Sequence, residues 1–192
     1  MAAGGILLAA SAAAAHRTAI QIAGQMWGPY AKDKGLTFRP GRADESVLED
    51  PRVEGELEGV SVAFQLALVG GWGITAVAVP LAPIALNLEI TREGLFDKIA
   101  KVFGAKDLIL GDEAFDKAYM VSTTHESARQ VLTKERRDEM LSLDIATFVY
   151  DDGSAGELKP RVVLGVGRVL ATPAELDRML KLLVDVAKLR AA

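Results

Sequence analysis

From Val60 to Leu68 apolar residues fall on every second position: Val60, Val62, Phe64, Leu66 and Leu68 alternate with Ser61, Ala63, Gln65 and Ala67. A period of two marks a strand with one buried face, and a helix cannot satisfy it. Upstream, Glu54, Glu56 and Glu58 share the parity of those apolar residues. One regular strand would therefore set three carboxylates beside the core. A bulge or bend at Gly59, or a strand end running beyond the core, resolves the conflict. Downstream, Gly70-Gly71 is a hairpin signal before a return over Ile74–Val79, which Pro80 and Pro83 end. Ile84, Leu86, Leu88 and Ile90 alternate again and predict another antiparallel strand.

The rest of the chain divides by period. Leu36–Arg39 reads as a short strand, and the polar stretch from Pro40 to Pro51 as a surface loop. Leu95, Phe96, Ile99, Ala100 and Phe103 make a helical stripe closed by Gly104. Asp107–Leu110 and Phe115–Val121 predict short strands around a Gly111-Asp112-Glu113 turn. Thr123 with Glu126 matches a capping box, and Thr133 is a second N-cap with Glu135 in the turn that follows. The first of these helices turns Ala128, Val131 and Leu132 inward, and the second Met140, Leu141 and Leu143. Ile145–Tyr150, the turn Asp151-Asp152-Gly153 and Arg161–Val169 form a hairpin. Thr172-Pro173-Ala174-Glu175 combines an N-cap, proline at N1 and an acidic N3, the clearest helix start in the chain. Leu176, Met179, Leu180, Leu183, Val186 and Ala187 then stripe a long C-terminal helix.

These elements amount to an α+β fold with a mostly antiparallel sheet of about seven strands, intervening helices and a long C-terminal helix. By strand count a rolled sheet closed by that helix, as in pleckstrin-homology-like domains, is compatible; fold analogy of this kind carries no function. Two sheet-plus-helix halves, Leu36–Phe103 and Asp107–Arg190, are the alternative. Residues 1–34 are expected to form an Ala-rich N-terminal helix and residues 35–192 a single α+β domain. Within residues 1–34, Gly28-Pro29 should kink or restart the helix, and Gly35 suits the position after its C-terminus.

Composition removes several functions. There is no cysteine, so disulfides, thiolate nucleophiles and Cys-based metal sites are excluded. The net charge of −4 argues against nucleic acid as a partner. Met1–Ala15 carries no charged side chain and would span roughly 22 Å as a helix, short of the ~30 Å hydrocarbon core. It reads as a helix packed on the domain or a partner, as a short membrane anchor, or as a cleaved signal, though no basic residue precedes the apolar run.

No catalytic, cofactor or metal site is legible. His16 and His125 lack neighbours at metal-ligand spacing, and no G-x-S-x-G elbow is present. Gly165-Val166-Gly167 fails as a nucleotide fingerprint, because Leu170 stands where the third glycine belongs. The carboxylates Asp112, Glu113 and Asp116, and Asp151 with Asp152, sit at turns without calcium-loop spacing. A pocket that gathers His125 with carboxylates such as Asp112 or Asp116 would favour an enzyme. Arg129, Lys134, Arg136 and Arg137 form a basic cluster diluted by acidic neighbours, and read as a solvated face rather than an anion site.

Phe115-Asp116-Lys117, Tyr119-Met120-Val121, Ala128-Arg129, Leu132-Thr133 and Met140-Leu141 follow one another in an order that resembles a widespread family of bacterial membrane-anchored proteins of unknown function. Gly35-Leu36-Thr37-Phe38 and Val53–Val62 fit the same order. The resemblance implies a soluble α+β domain behind N-terminal membrane helices and brings no active site with it. Together with the residues it leads to a non-enzymatic, membrane-associated binding or scaffolding domain. Its expected partner is a protein or lipid, its membrane contact runs through residues 1–34, and its location is membrane-associated or cytoplasmic. An enzyme whose site assembles only in the fold, and a homo-oligomer built through the N-terminal helix, are the alternatives.

Overall fold

The computed structural model describes residues 3–43, 48–68, 72–93, 106–123, 125, 127–154 and 159–190. The expected helix over 95–103, the turn at Gly70-Gly71 and Glu126 of the capping box lie outside them.

The chain opens with a continuous helix, α1 (Ala3–Asp33). The expected break at Gly28-Pro29 does not occur. The helix carries Pro29 on its exposed side, and Gly28 is small because the Phe38 ring packs against it, 3.2 Å from where a Cβ would stand. Gly35 terminates α1 with φ +68, and Leu36 N–H reaches back to the Ala31 carbonyl at 2.8 Å. This is the glycine-ended helix stop that the sequence predicts. From His16 to Ala31, α1 buries Ala19, Ile20, Ala23, Trp27 and Tyr30 in the core.

Next come β1 (Thr37–Arg39), the small ladder of β2 (Arg42–Ala43) with β3 (Leu48–Glu49), then β4 (Arg52–Leu57), β5 (Val60–Leu68), β6 (Trp72–Ala78) and β7 (Leu88–Arg92). The β2–β3 ladder occupies a stretch expected to be loop. Glu58 and Gly59 both have positive φ, 50 and 81, and make a tight primed turn between β4 and β5. That turn settles the parity conflict. The chain reverses at Gly59 instead of bulging, so Glu54 pairs beside Ala63 on one face and Val53 beside Phe64 on the other. Ile84 and Leu86 are buried as expected, yet not in a strand. Their N–H groups go to the Tyr150 hydroxyl at 3.0 Å and the Asp152 carboxylate at 2.9 Å, which replace a neighbouring strand.

The second part of the chain contributes β8 (Lys106–Asp107), α2 (Glu113–Ala118), β9 (Tyr119–Thr123), α3 (Ala128–Val131), α4 (Lys134–Leu143), β10 (Ile145–Asp151), β11 (Arg161–Val166) and α5 (Pro173–Ala187). The stretch expected to be strand from Phe115 begins as helix, because Asp112 caps it by accepting from Phe115 N–H at 3.3 Å. Thr123 is not an N-cap. It ends β9, donating to the Asn87 carbonyl at 2.9 Å and accepting from His125 N–H at 3.2 Å. Thr133 and Thr172 do cap α4 and α5. Thr172 and Glu175 complete a capping box, in which the threonine hydroxyl also donates to the glutamate at 2.9 Å. Leu176, Met179, Leu180, Leu183, Val186 and Ala187 of α5 are all buried, each of the larger ones contributing about 1.5–3 kcal/mol.

Among the described residues nine strands form one antiparallel sheet in the order β1-β4-β5-β6-β11-β10-β7-β9-β8. Strands from both parts of the chain share it, and the β10–β11 hairpin inserts between β6 and β7. Two independent halves are therefore excluded. Among the described residues the sheet is open, with β1 and β8 as its edges, and is not a closed roll. A helical layer fills its inner face: α1 lies against β1 and β6, α5 against β5, β6 and β11, α4 against β10, and α2 against β9. A sheet buried on one face by helices needs no closure to complete its core. Val53, Phe64, Ala76, Leu164, Phe148, Ile90 and Val121 form one continuous buried row across seven strands. Among the described residues no helix is long and apolar enough to cross a membrane.

Gly24 lies within α1 with nothing inside 4 Å of an added Cβ. Gly24→Ala is expected to raise stability by about 0.5–1 kcal/mol through helix propensity alone, read as a higher denaturation midpoint.

Candidate functional site

The opposite face of the sheet carries the outward members of the alternation. Its middle row runs Glu54–Ala63–Val77–Val163–Val149–Glu89, and the row below runs Arg52–Gln65–Thr75–Gly165–Thr147–Thr91. The centre is small and uncharged: Ala63, Val77, Val163 and Val149 are half-buried, and Gly165 presents no side chain. Charges stand at the margins. Glu54 is held by Arg39 at 2.6 Å and Arg52 at 2.9 Å, and Arg161 lies 3.5 Å from Asp151. Over β4, β5 and β6 this face encloses an open cleft of about 690 Å³, bordered by Arg52, Glu56, Gln65 and Val79. A polar-rimmed patch of small apolar residues has the make-up of a contact surface.

A second cleft, of about 480 Å³, lies between the end of α1, the β4–β5 turn and α5. Its charges are paired. Asp177 accepts from the Tyr30 hydroxyl at 2.8 Å and lies 2.8 Å from the Lys34 ammonium, while Lys188 pairs with Glu58 and Lys181 with Asp185. Burial, and then the neighbouring Asp177 and Asp33, push the Tyr30 hydroxyl well above the ordinary phenol range, so it stays a donor. The bonds here tie α1 to α5.

His16, Asp112 and Asp116, three of the titratable residues singled out from sequence, are engaged in holding the fold. His16 is buried, with Nε2 2.5 Å from Asp50 Oδ1, and joins α1 to the segment entering β4. His125 is exposed. Asp116 accepts from the backbone N–H groups of Leu110, Gly111 and Asp112 at 3.1, 2.8 and 3.1 Å. Asp112 caps α2 and bonds the Arg137 guanidinium at 2.9 Å; that guanidinium, then Phe115 N–H, holds its carboxyl below the usual range. The basic cluster is also consumed internally. Arg136 donates to the Gln130 and Val131 carbonyls, Arg137 to Leu132, Arg129 to Ile109, and Lys134 to Asp138. Arg129 and Lys134 lie on the solvent-exposed side, whereas Arg136 and Arg137 serve as donors for the carbonyls that end α3. Among the described residues no three His, Asp or Glu side chains are grouped to hold a metal ion. Gly165-Val166 lies in β11, mid-sheet, and the next helix begins only at Pro173.

Asp152 organises the turn opposite β7. Its carboxylate accepts from Leu86 N–H at 2.9 Å, Ser154 N–H at 2.8 Å and Asn87 Nδ2 at 3.2 Å. Burial by itself would raise its pKa, but these bonds outweigh burial and hold it below the ordinary carboxylate range. A depressed folded-state pKa gives stability that is complete above the unfolded value, about 4, and is lost as pH falls through the folded value. Asp152→Asn is therefore expected to lower stability at neutral pH and to flatten its decline below about pH 4, as checked by urea midpoints across pH.

Sequence reasoning missed the outer face as a site. The outward residues of β5, β6, β10 and β11 were individually visible as the weak half of each alternation. Their convergence depends on strand order, which has no local signal.

No family model matches the sequence, and no curated protein matches it. Its fold is similar to the crystal structure of the mycobacterial trehalose monomycolate transport factor A, TtfA, with a TM-score of 0.55 over 88% of this chain and 97% of that one at 12% identity.

Proposed function

We propose that this chain is a non-catalytic, membrane-associated binding or scaffolding domain of a bacterium, which presents the outer face of its sheet to a partner. The observation that carries the binding reading is that face: small apolar residues at the centre, ion pairs at the margin, and, among the described residues, the helices that pack on the sheet lying on the other side. Its near-balanced charge favours a protein surface over an anionic lipid or nucleic acid. The membrane part rests on the uncharged run Met1–Ala15 and on the resemblance to membrane-anchored proteins. The likeness to a transport factor is one of fold at 12% identity and brings no ligand with it.

Vesicle flotation tests the membrane part. The full chain is expected to float with liposomes, and a variant lacking Met1–Ala15 to remain below while its thermal unfolding is unchanged. Equal distributions for the two proteins would discard membrane association.

A further inference from the structure

We infer that the domain meets the lipid headgroup layer with the end of its sheet at which α1 enters, Trp72 included, and that the unbroken α1 holds the strands upright on the membrane. This rests on the proposed membrane contact of Met1–Ala15 and adds which surface of the domain faces the lipid.

His16 of α1 bonds Asp50, just before β4 begins at Arg52. Further along α1, Tyr30 and Lys34 share a cleft with Leu57 at the end of β4. From His16 to Tyr30 a helix rises about 21 Å, and from Asp50 to Leu57 a strand rises about 23 Å. α1 and β4 therefore run side by side in the same sense. The helix is continuous from Ala3, so its first part extends about 20 Å past the start of β4. Met1–Ala15 carries no charged side chain. It lacks the charged face of a helix that lies along a bilayer surface, and so enters the lipid end-on. A helix without a break passes that direction on to the sheet. The strands stand up from the membrane, and the outer face looks sideways.

The same end of the sheet holds residues suited to headgroups. By register β5 and β6 reach past the Arg52–Gln65–Thr75 row to the pair Leu68–Trp72, about 10 Å nearer the lipid. Neither residue is charged, and indole is enriched where headgroups meet hydrocarbon. Arg17, exposed at the foot of the uncharged run, is a cation that can reach headgroup phosphates while its stem stays on apolar surface. The rival apolar contact is Leu81, 54% exposed. It lies at the opposite end, where Val79 N–H donates to the Ser61 carbonyl and Leu81 N–H to the Ala187 carbonyl that ends α5. The direction of α1 leaves Leu81 in water.

The test is fluorescence quenching on phosphatidylcholine vesicles that carry a nitroxide on part of their headgroups. The chain has no cysteine, so full-length Arg17→Cys, Gln25→Cys and Leu81→Cys, all at exposed positions, each take a single fluorophore. Quenching should fall in that order. The first site should be quenched at least about threefold more than the last, because Gln25 alone stands about 12 Å above Arg17 along the helix. Trp27 is buried in the core, so headgroup quenching of tryptophan emission should belong to Trp72 and vanish in Trp72→Phe. Ala15→Pro breaks the helix just before the buried His16. It should keep flotation and the unfolding midpoint while levelling the three labels. Equal quenching at all three sites, or strongest quenching at Leu81→Cys, overturns the inference and leaves membrane association standing. So does tryptophan quenching that survives Trp72→Phe, or a gradient that survives Ala15→Pro. A full chain that does not float overturns both readings.

Discussion

Trp27→Ala is expected to lower stability by about 3–5 kcal/mol, which for a chain of this size lowers Tm by roughly 10 °C. Trp27 is fully buried, its ring meets Phe64 edge-on at 4.9 Å and 75°, and its indole N–H donates to the Leu170 carbonyl at 3.4 Å. Three elements thus meet on one side chain: α1, the centre of β5 and the segment between β11 and α5. Truncation leaves a cavity that backbone on three sides cannot close, and an orphaned carbonyl besides. Trp27→Phe keeps most of the ring contact and loses only the hydrogen bond, so it should cost about 1–2 kcal/mol. Thermal unfolding by circular dichroism reads both. If Trp27→Ala left Tm unchanged, α1 would be an appendage and the core would be complete without it.

Gly73→Ala should be as damaging for a different reason. Gly73 lies in β6, and a Cβ there would stand 2.0 Å from the Val166 carbonyl oxygen, 3.0 Å from Arg168 N and 3.0 Å from Gly167 C. All three are backbone atoms, so no rotamer change can relieve the clash. β6 and β11 must move apart next to the Ile74–Val166 pairing. The expected loss is at the upper end of overpacking costs, about 3 kcal/mol. The same Gly→Ala change at Gly24 is expected to stabilise, which separates steric approach from generic glycine effects. Amide exchange supplies the local check: protection at Ile74 and Val166 should fall in Gly73→Ala before protection in β4 does. Uniform protection in a fully stable variant would show that the two strands do not approach so closely.

Much of the fold was legible locally. The alternation in β5 gave its buried face, and Gly35 and the Thr172-Glu175 box gave helix ends, because caps and periods are decided by neighbours in sequence. Errors arose where a neighbour distant in sequence supplied a hydrogen bond. Ile84 and Leu86 look like strand residues, but Tyr150 and Asp152 satisfy their N–H groups. The misreading of Phe115 as the start of a strand is different in kind: Asp112, three residues before it, caps a helix there, a local signal that the reading of Gly111-Asp112-Glu113 as a turn passed over. The candidate site was less legible still, since Ala63, Val77, Val163 and Val149 are ordinary outward residues until the strands are ordered.

By itself the sequence determined an antiparallel α+β architecture, the inward stripe of each element, and the lack of cysteine chemistry. These follow from side-chain period and composition, which need no long-range information. The tertiary structure alone decided that the β10–β11 hairpin enters between β6 and β7, that Gly73 must be small, and that the described helices gather on one face of the sheet. Strand pairing is degenerate in sequence, because any alternating strand can bond to any other. The observed order brings the buried faces of the strands together under α1, α2, α4 and α5, and the order in turn creates the outer face.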